Sequence, residues 1–405
     1  MTRIEIIESA FTVWGRELYL NTSLSQVARE LGVSKPALYR HFRNKQALMD
    51  AMSEHYFDSF AAFIKKDYEK ALQSEDRGLF ILIRAIAEYF ACNGEAFIFS
   101  LVKTYNPRNC CKNVPEALQL RGVDFNEFCR NLTKKYKIDP IGMHIVFMTL
   151  TFFMAVFHKE CKFSPNVPQE SAMSEKIDII IEVIERGLGY SSQEIQNLDY
   201  EGLESRVAGT VIHIKDDPLL KAVAEAVAHA GPWEASMEQV ARRSGLSKSS
   251  LYGHFENKHD MLRQLFMTEF LRIIDFASQG MRHSDVPVER MYLAIFSIAE
   301  YLQTKPDFLV AMDWVRTRRL DFFKRGNQGW EDGVPPEFHK LFEGITIKPF
   351  RSREHFGGEK WVTHWILFLI INTLLMPDRS REEILNDQTR IVYQFLTLGI
   401  GGFAT

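Results

Sequence analysis

One 23-residue segment occurs twice in this chain, 213 residues apart, and that duplication limits the possible folds more than any other feature. Ser23 to Lys45 reads SLSQVARELGVSKPALYRHFRNK, and Ser236 to Lys258 reads SMEQVARRSGLSKSSLYGHFENK. The two are identical at 14 of 23 positions without a gap, which shared composition does not produce. Fainter matches follow at an offset of 212. Ala87-Glu88-Tyr89 returns as Ala299-Glu300-Tyr301, and Gly187-Leu188-Gly189 as Gly399-Ile400-Gly401. The repeated unit is therefore about half of the 405 residues, far longer than the roughly 20–50 residues of a solenoid repeat. Duplication and fusion of a whole protein is the simplest origin.

Each copy predicts three short helices and then a long one. In the first helix Ile6, Ile7, Ala10, Phe11 and Trp14 recur at three and four residues and mark one buried face. Leu220, Val223, Ala224 and Val227 do so in copy two, after Asp217-Pro218, which reads as a cap followed by proline at the first helical position. The second helix opens on a capping box, Ser23 with Gln26 and Ser236 with Gln239. It stops at Gly32 and Gly245, residues suited to a left-handed C′ position. Ser34 and Ser247 then cap a third helix, and Asn44 and Asn257 a fourth that begins at Lys45 and Lys258. This tight helix–glycine–helix pattern is that of a helix-turn-helix.

In that arrangement the third helix enters the major groove and its first residues face the base edges. Those are Lys35, Pro36 and Ala37 in copy one, and Lys248, Ser249 and Ser250 in copy two. Lysine can donate to guanine O6 and N7, serine can donate or accept, and proline and alanine offer apolar contact such as a thymine methyl. Tyr39, His41 and Lys45, with Tyr252, His254 and Lys258, fall where phosphate contacts are expected. The candidate DNA-contacting set also includes Ser23, Ser25, Ser34 and Arg40 in copy one, and Ser236, Glu238 and Ser247 in copy two. The formal net charge of −3 requires that any such surface be a local patch. Leu24 to Lys45 carries a net +4 and Met237 to Lys258 a net +2, so copy two is the weaker electrostatic anchor.

The stretch GVSKPALYRHFRNK, from Gly32 to Lys45, resembles the hallmark of the TetR family of bacterial transcriptional regulators. Copy two keeps Leu251, Tyr252, His254, Phe255, Asn257 and Lys258 of the same pattern. The motif covers about 45 residues per copy; the rest is similar only in length and helical character. The resemblance implies an all-α fold of two tandem units. Helix-turn-helix domains occupy 1–45 and 216–258, helical ligand-binding and dimerisation domains 46–190 and 259–405, and a linker 191–215. It implies a repressor that binds a double-stranded operator, releases it on binding a small, apolar effector, and works in the cytoplasm. It also implies that the last two helices of each half, Ile141–Lys159 with Glu170–Arg186 and Lys360–Met376 with Arg381–Leu398, form a four-helix bundle. Here that bundle would close within one chain as a pseudo-dimer, and further homodimerisation stays open.

Three departures bear on the heads. The family places glycine between helices one and two; copy two has Gly231 there and copy one Leu18. Ser25 becomes Glu238, a carboxylate that accepts from cytosine N4 and otherwise repels phosphate. Arg40 becomes Gly253. Unequal heads imply an asymmetric or imperfectly palindromic operator. The rival reading is a ligand- or protein-binding module in which one or both heads have lost DNA.

Other chemistry is thinly represented. With 46% apolar and 25% charged residues the chain reads as folded and not disordered. No long apolar stretch follows the N-terminus, so no secretory leader is expected. The apolar runs Ile145–Phe157 and Trp365–Met376 fall short of the roughly 18–20 residues of a membrane span and are read as core, with no membrane partner. Five cysteines, all in the first half, give no disulfide framework and fit a reducing compartment. Cys110-Cys111 sits between Arg108 and Lys112, whose charge favours thiolate, but an ordinary cytosolic pair is the simpler reading. His158 and Cys161 share a helical face without a second cluster, which favours a structural role over a metal. Phe97, Phe99, Phe147, Phe152, Phe153, Phe157, Trp314, Trp361, Trp365 and Phe368 are read mostly as core. With no phosphate loop, nucleophile elbow or HExxH, neither a cofactor nor an enzyme is expected.

Overall fold

Each half opens with the same run of helices because the same apolar spacing and the same caps recur. The computed structural model describes residues 2–16, 23–104, 114–136, 138, 140–163, 169–208, 217–231, 235–318, 334–343, 360–376 and 381–404. Among the described residues helix is the only regular structure and no strand occurs, so the all-α expectation holds. The first half runs α1 (Arg3–Arg16), α2 (Leu24–Glu30), α3 (Lys35–Tyr39), α4 (Lys45–Gln73), α5 (Gly78–Cys92), α6 (Gly94–Thr104), α7 (Val114–Gln119), α8 (Phe125–Tyr136), α9 (Pro140–Phe163) and α10 (Gln169–Arg186). Next come α11 (Ser192–Gln196) and α12 (Tyr200–Ala208). The second half runs α13 (Pro218–Ala230), α14 (Met237–Ser244), α15 (Lys248–Tyr252), α16 (Lys258–Met281), α17 (Pro287–Thr304), α18 (Pro306–Arg318), α19 (Pro336–Lys340), α20 (Lys360–Leu374) and α21 (Arg381–Leu398), then a 3-10 turn, Gly399–Ala404.

The chain divides into two compact units. One holds residues 1–135 with 153–181, the other 136–152 with 182–405. In the first, α4 lies along α5 and buries Met52, Tyr56, Phe60, Ile64 and Tyr68 at helical spacing. Each such side chain contributes about 1.5–3 kcal/mol on burial. Phe60 meets Tyr89 and Phe90 at ring-centroid separations of 5.0 and 5.5 Å. Phe11, on α1, meets Phe99, on α6, at 5.0 Å, and so ties the head to the helices behind it. The second unit places charge where the first has rings. Glu269, buried on α16, accepts from Tyr301 Oη at 2.5 Å and from Arg272 at 2.6 Å. Its counterpart in the first half is Tyr56.

Residues 191–215, read from the sequence as a linker, carry two helices. A Ser191–Glu194 capping box starts α11, and Ile195, Leu203 and Val207 are buried at helical spacing. The polar residues between them obscure that face in the sequence. The helix expected over Ile141–Lys159 runs Pro140–Phe163 and contains the apolar run Ile145–Phe157. By length and composition Pro140–His158, 19 residues, is long enough to cross a membrane. As 67% of it is buried inside the protein, it behaves as a core helix. Of the aromatic residues read as core, Phe97, Phe99, Phe152, Phe153, Phe157, Trp361 and Trp365 are buried, whereas Phe147 and Phe368 are half-buried. Leu18, Cys110 and Cys111 lie outside the described residues, as do the side chains of Cys161 and Trp314.

Candidate nucleic-acid interface

The two helix-turn-helix motifs form by the same local chemistry. In copy two, Ser236 Oγ accepts from Gln239 N–H at 3.2 Å, and Gln239 Oε1 accepts from Ser236 N–H at 2.8 Å. Ser23 and Gln26 form the equivalent box in copy one. Val27, Ala28 and Leu38 pack the first motif, and Val240, Ala241 and Leu251 the second. Gly32 at φ +64° and Gly245 at φ +70° make the turn. The next residue then reaches back, Val33 N–H to Ala28 carbonyl at 2.9 Å and Leu246 N–H to Ala241 carbonyl at 3.0 Å. This is the left-handed ending that the glycine spacing predicts. Asp217 Oδ1 caps α13 by accepting from Leu219 and Leu220 N–H at 2.9 and 3.2 Å.

The third-helix caps differ between copies. Ser247 Oγ accepts from Ser250 N–H at 3.0 Å, while Ser34 holds the cap position with no side-chain cap bond. Asn44 Oδ1 accepts from Ala47 N–H at 2.8 Å and Asn257 Oδ1 from Asp260 N–H at 3.0 Å, which starts the long fourth helix in each copy.

Nearly all of the sequence-predicted contact residues reach solvent. Ser23, Ser34, Lys35, Pro36, Tyr39, Arg40 and Lys45 are exposed in copy one, with Ser25, Ala37 and His41 half-buried. In copy two Glu238, Ser247, Lys248, Ser249, Ser250, Tyr252 and His254 are exposed, with Ser236 and Lys258 half-buried. Tyr39 and Tyr252 are 44% and 50% exposed, unusual for rings that could have packed into the core. The Lys35 ammonium sits 5.9 Å from the Tyr39 ring centroid, a cation–π contact that aims both at the same surface. Arg29, Arg43, Arg242 and Arg243 are also exposed on these motifs; the sequence reading weighs them only as charge.

Two electrostatic details separate the copies. Lys45 lies 5.5 Å from the indole of the fully buried Trp14, and partial burial lowers its ammonium pKa. The residue matching Trp14 in copy two is Val227, which offers no ring. Glu238 lies 3.9 Å from Arg242 one turn on, so the added carboxylate also draws on a cation of its own motif. Both side chains are well exposed, and such a pair is worth at most about 1 kcal/mol.

The sequence profile described as "Bacterial regulatory proteins, tetR family" matches at residues 6–52 and again at 219–265. Two segments of the chain thus match the TetR-family DNA-binding profile, in tandem. The HTH-type transcriptional repressor ComR of Escherichia coli (strain K12) is 31% identical over 91 residues, 22% of this chain and 40% of that protein. The uncharacterized HTH-type transcriptional regulator YuxN of Bacillus subtilis (strain 168) is 38% identical over 53 residues, 13% of this chain and 18% of that protein. The chain thus spans less than half the length of either relative. Both TetR profile matches contain the whole helix-turn-helix and the start of the fourth helix, the part of each half where the two copies are most alike. Among the described residues no group of three or more metal-ligating side chains gathers.

Proposed function

We propose that the protein is a DNA-binding transcriptional regulator, a ligand-responsive repressor whose two unequal reading heads belong to one chain. The observation that carries this reading is the pair of short third helices, each solvent-exposed, each begun by serine and lysine, and each set by a left-handed glycine. Lys35, Pro36 and Ala37 would read one half-site, and Lys248, Ser249 and Ser250 the other. Tyr39, Arg40, His41, Lys45, Tyr252, His254 and Lys258 would hold phosphates, with Ser23, Ser25, Ser34, Ser236, Glu238 and Ser247 at the margins. The domains would be 1–45, 46–190, 216–258 and 259–405. No cofactor or catalysis enters this reading, which places the protein in the cytoplasm.

Internal pairing of the halves is part of the proposal, and contacts within the second unit support it. Gly187 and Gly399, equivalent residues 212 apart, face each other: a Cβ on Gly187 would lie 2.6 Å from Gly399 nitrogen. Equivalent residues meet in this way on a two-fold axis. Leu188 N–H donates to Leu396 carbonyl at 2.7 Å, and Trp365 Nε1 donates to Thr149 Oγ1 at 3.1 Å. The operator would then present two half-sites one helical turn apart, about 34–36 Å, or a multiple of that. A small apolar effector that prefers another head spacing lowers operator affinity by its differential affinity for the two states. Glu238 and the smaller positive charge of copy two favour a second reading, in which that head contributes little to DNA affinity. Binding to random duplex across salt concentrations, with Lys35→Ala and Lys248→Ala variants, tests both readings. A DNA reader has a steep salt slope that each substitution weakens. A slope insensitive to Lys248→Ala alone favours the one-headed reading, and indifference to salt and to both changes rejects DNA binding.

A further inference from the structure

The described part of the connector between the halves, residues 190–208, is docked on the second half. Past Gly187, Tyr190 N–H donates to Thr397 carbonyl at 3.2 Å. In α12 the Glu204 carboxylate is only 4% exposed, an expensive place for a charge unless it is fully partnered. It is fully partnered. Arg390 Nε and Nη2 donate to its two oxygens at 2.7 and 2.6 Å, Asn386 Nδ2 donates at 2.9 Å, and the Tyr292 hydroxyl donates as well. The donors stand on α17 and α21, two helices of the second half. Arg206 adds a bond to the carbonyl of His283, just past α16, at 3.2 Å.

The seat exists only on that half. The first-half counterparts of Tyr292 and Arg390 are Phe80 and Asp178, and Asp178 is paired with Arg84. A carboxylate brought there would meet another carboxylate. In a duplicated chain this difference decides which half the connector occupies.

We propose that α11 and α12 form a fixed strap, seated on α17 and α21 through Glu204, that anchors the start of the second head and bounds its excursion. Eight residues, 209–216, separate Ala208 from the Asp217 cap of α13. Nine peptide steps span at most about 30 Å. The second head is thus held by α16, by the packing of α13 on α18, and by this short tether, which limits how far it can travel if that packing gives way. That the bound on its excursion selects operators of one half-site separation rests on the DNA-binding function proposed above.

Hydrogen exchange on the full chain tests the strap without DNA. Glu204→Gln keeps the shape and removes the charge, and peptides from 195–208 should then exchange about tenfold faster or more, with α4 and α5 unchanged. Unchanged exchange in Glu204→Gln, or wild-type exchange there as fast as in a free peptide, overturns the strap. A second variant keeps Glu204 and lengthens 209–216 by ten Gly-Ser residues. In selection from a random duplex pool, wild type should return one half-site separation and the lengthened chain a spread of separations. An identical single separation from both overturns the bounding role. If neither chain enriches any duplex, the DNA-binding function fails instead, and the strap stands or falls on the exchange data.

Discussion

Replacing Gly187 or Gly399 with alanine should weaken the junction between the ends of α10 and α21 by more than the change costs at any other left-handed glycine with open space around it. Two penalties add there. Both residues have positive φ, +57° and +66°, where a Cβ costs about 1–2 kcal/mol. The Cβ would also meet fixed backbone, 2.6 Å from Leu396 carbonyl oxygen for Gly187 and 2.5 Å from Arg186 nitrogen for Gly399. Real Cβ contacts do not come that close, so a helix end must move, and overpacking of this kind costs about 1–3 kcal/mol. The sum is about 2–5 kcal/mol. Gly32→Ala is the control, since φ is +64° but nothing lies within 4 Å of the added carbon; it should cost only the first penalty, about 1–2 kcal/mol. Because a two-unit chain need not unfold in one step, a local assay is preferable. Exchange of the Leu188 and Tyr190 amides, bonded to Leu396 and Thr397 carbonyls, reads the junction directly. An extra 1–3 kcal/mol over the control corresponds to roughly 5- to 150-fold faster exchange. Gly187→Ala and Gly399→Ala disturb one contact, so the double variant should cost less than the sum. Equal exchange at these amides in Gly187→Ala, Gly399→Ala and Gly32→Ala would refute the reasoning.

Thr149→Val should destabilise the second unit by about 0.5–1.5 kcal/mol, since it removes the hydroxyl that accepts from the indole N–H of the fully buried Trp365; a urea titration followed by tryptophan fluorescence reads the loss. Glu238→Ser should raise affinity for random duplex several-fold at low salt and change little at high salt, as judged by fluorescence anisotropy. Burial pushes the Cys129 thiol up to about 12, so peptide mapping after mild alkylation at pH 8 should find the exposed Cys92 modified well before Cys129. Burial likewise pushes the Tyr200 phenol up to about 12. A raised folded-state pKa gives stability that is intact below the unfolded value near 10 and is lost as pH rises toward 12. The strap should therefore loosen across pH 10–12, seen as faster proteolysis near 191–208.

What was legible in the sequence was local. Ser236 and Gln239, Asn44 and Ala47, Asp217 and Leu220 lie three residues apart, so caps and turn could be read from spacing alone. The same holds for the exposed faces of α3 and α15, whose contact residues follow from position within a short helix. The connector was illegible for the opposite reason. Glu204 reads as a solvated charge until Tyr292, Asn386 and Arg390, 88 to 186 residues away, are brought around it. Tyr301 and Glu269 are likewise paired only by the antiparallel packing of α16 and α17.

The differences between the copies follow a pattern that duplication alone does not require. Identity concentrates in the caps, the turn, Gln26 to Arg29 of the second helix and Leu38, Tyr39, His41 and Phe42, the positions that build the motif. Divergence concentrates where a side chain meets a partner: Pro36 and Ala37 against Ser249 and Ser250, Ser25 against Glu238, Tyr56 against Glu269, Asp178 against Arg390. In a two-chain dimer a substitution such as Asp178 to Arg would appear on both subunits, and a strap seat could not be made on one side alone. Fusion removes that constraint, because each half can then vary without imposing the same change on its partner. The proposed Glu204 seat uses this freedom: it takes an arginine on one half where the other half carries Asp178. If the heads follow the same logic, their reading residues are free to match two different half-sites, and an operator without perfect two-fold symmetry is the natural partner of such a chain.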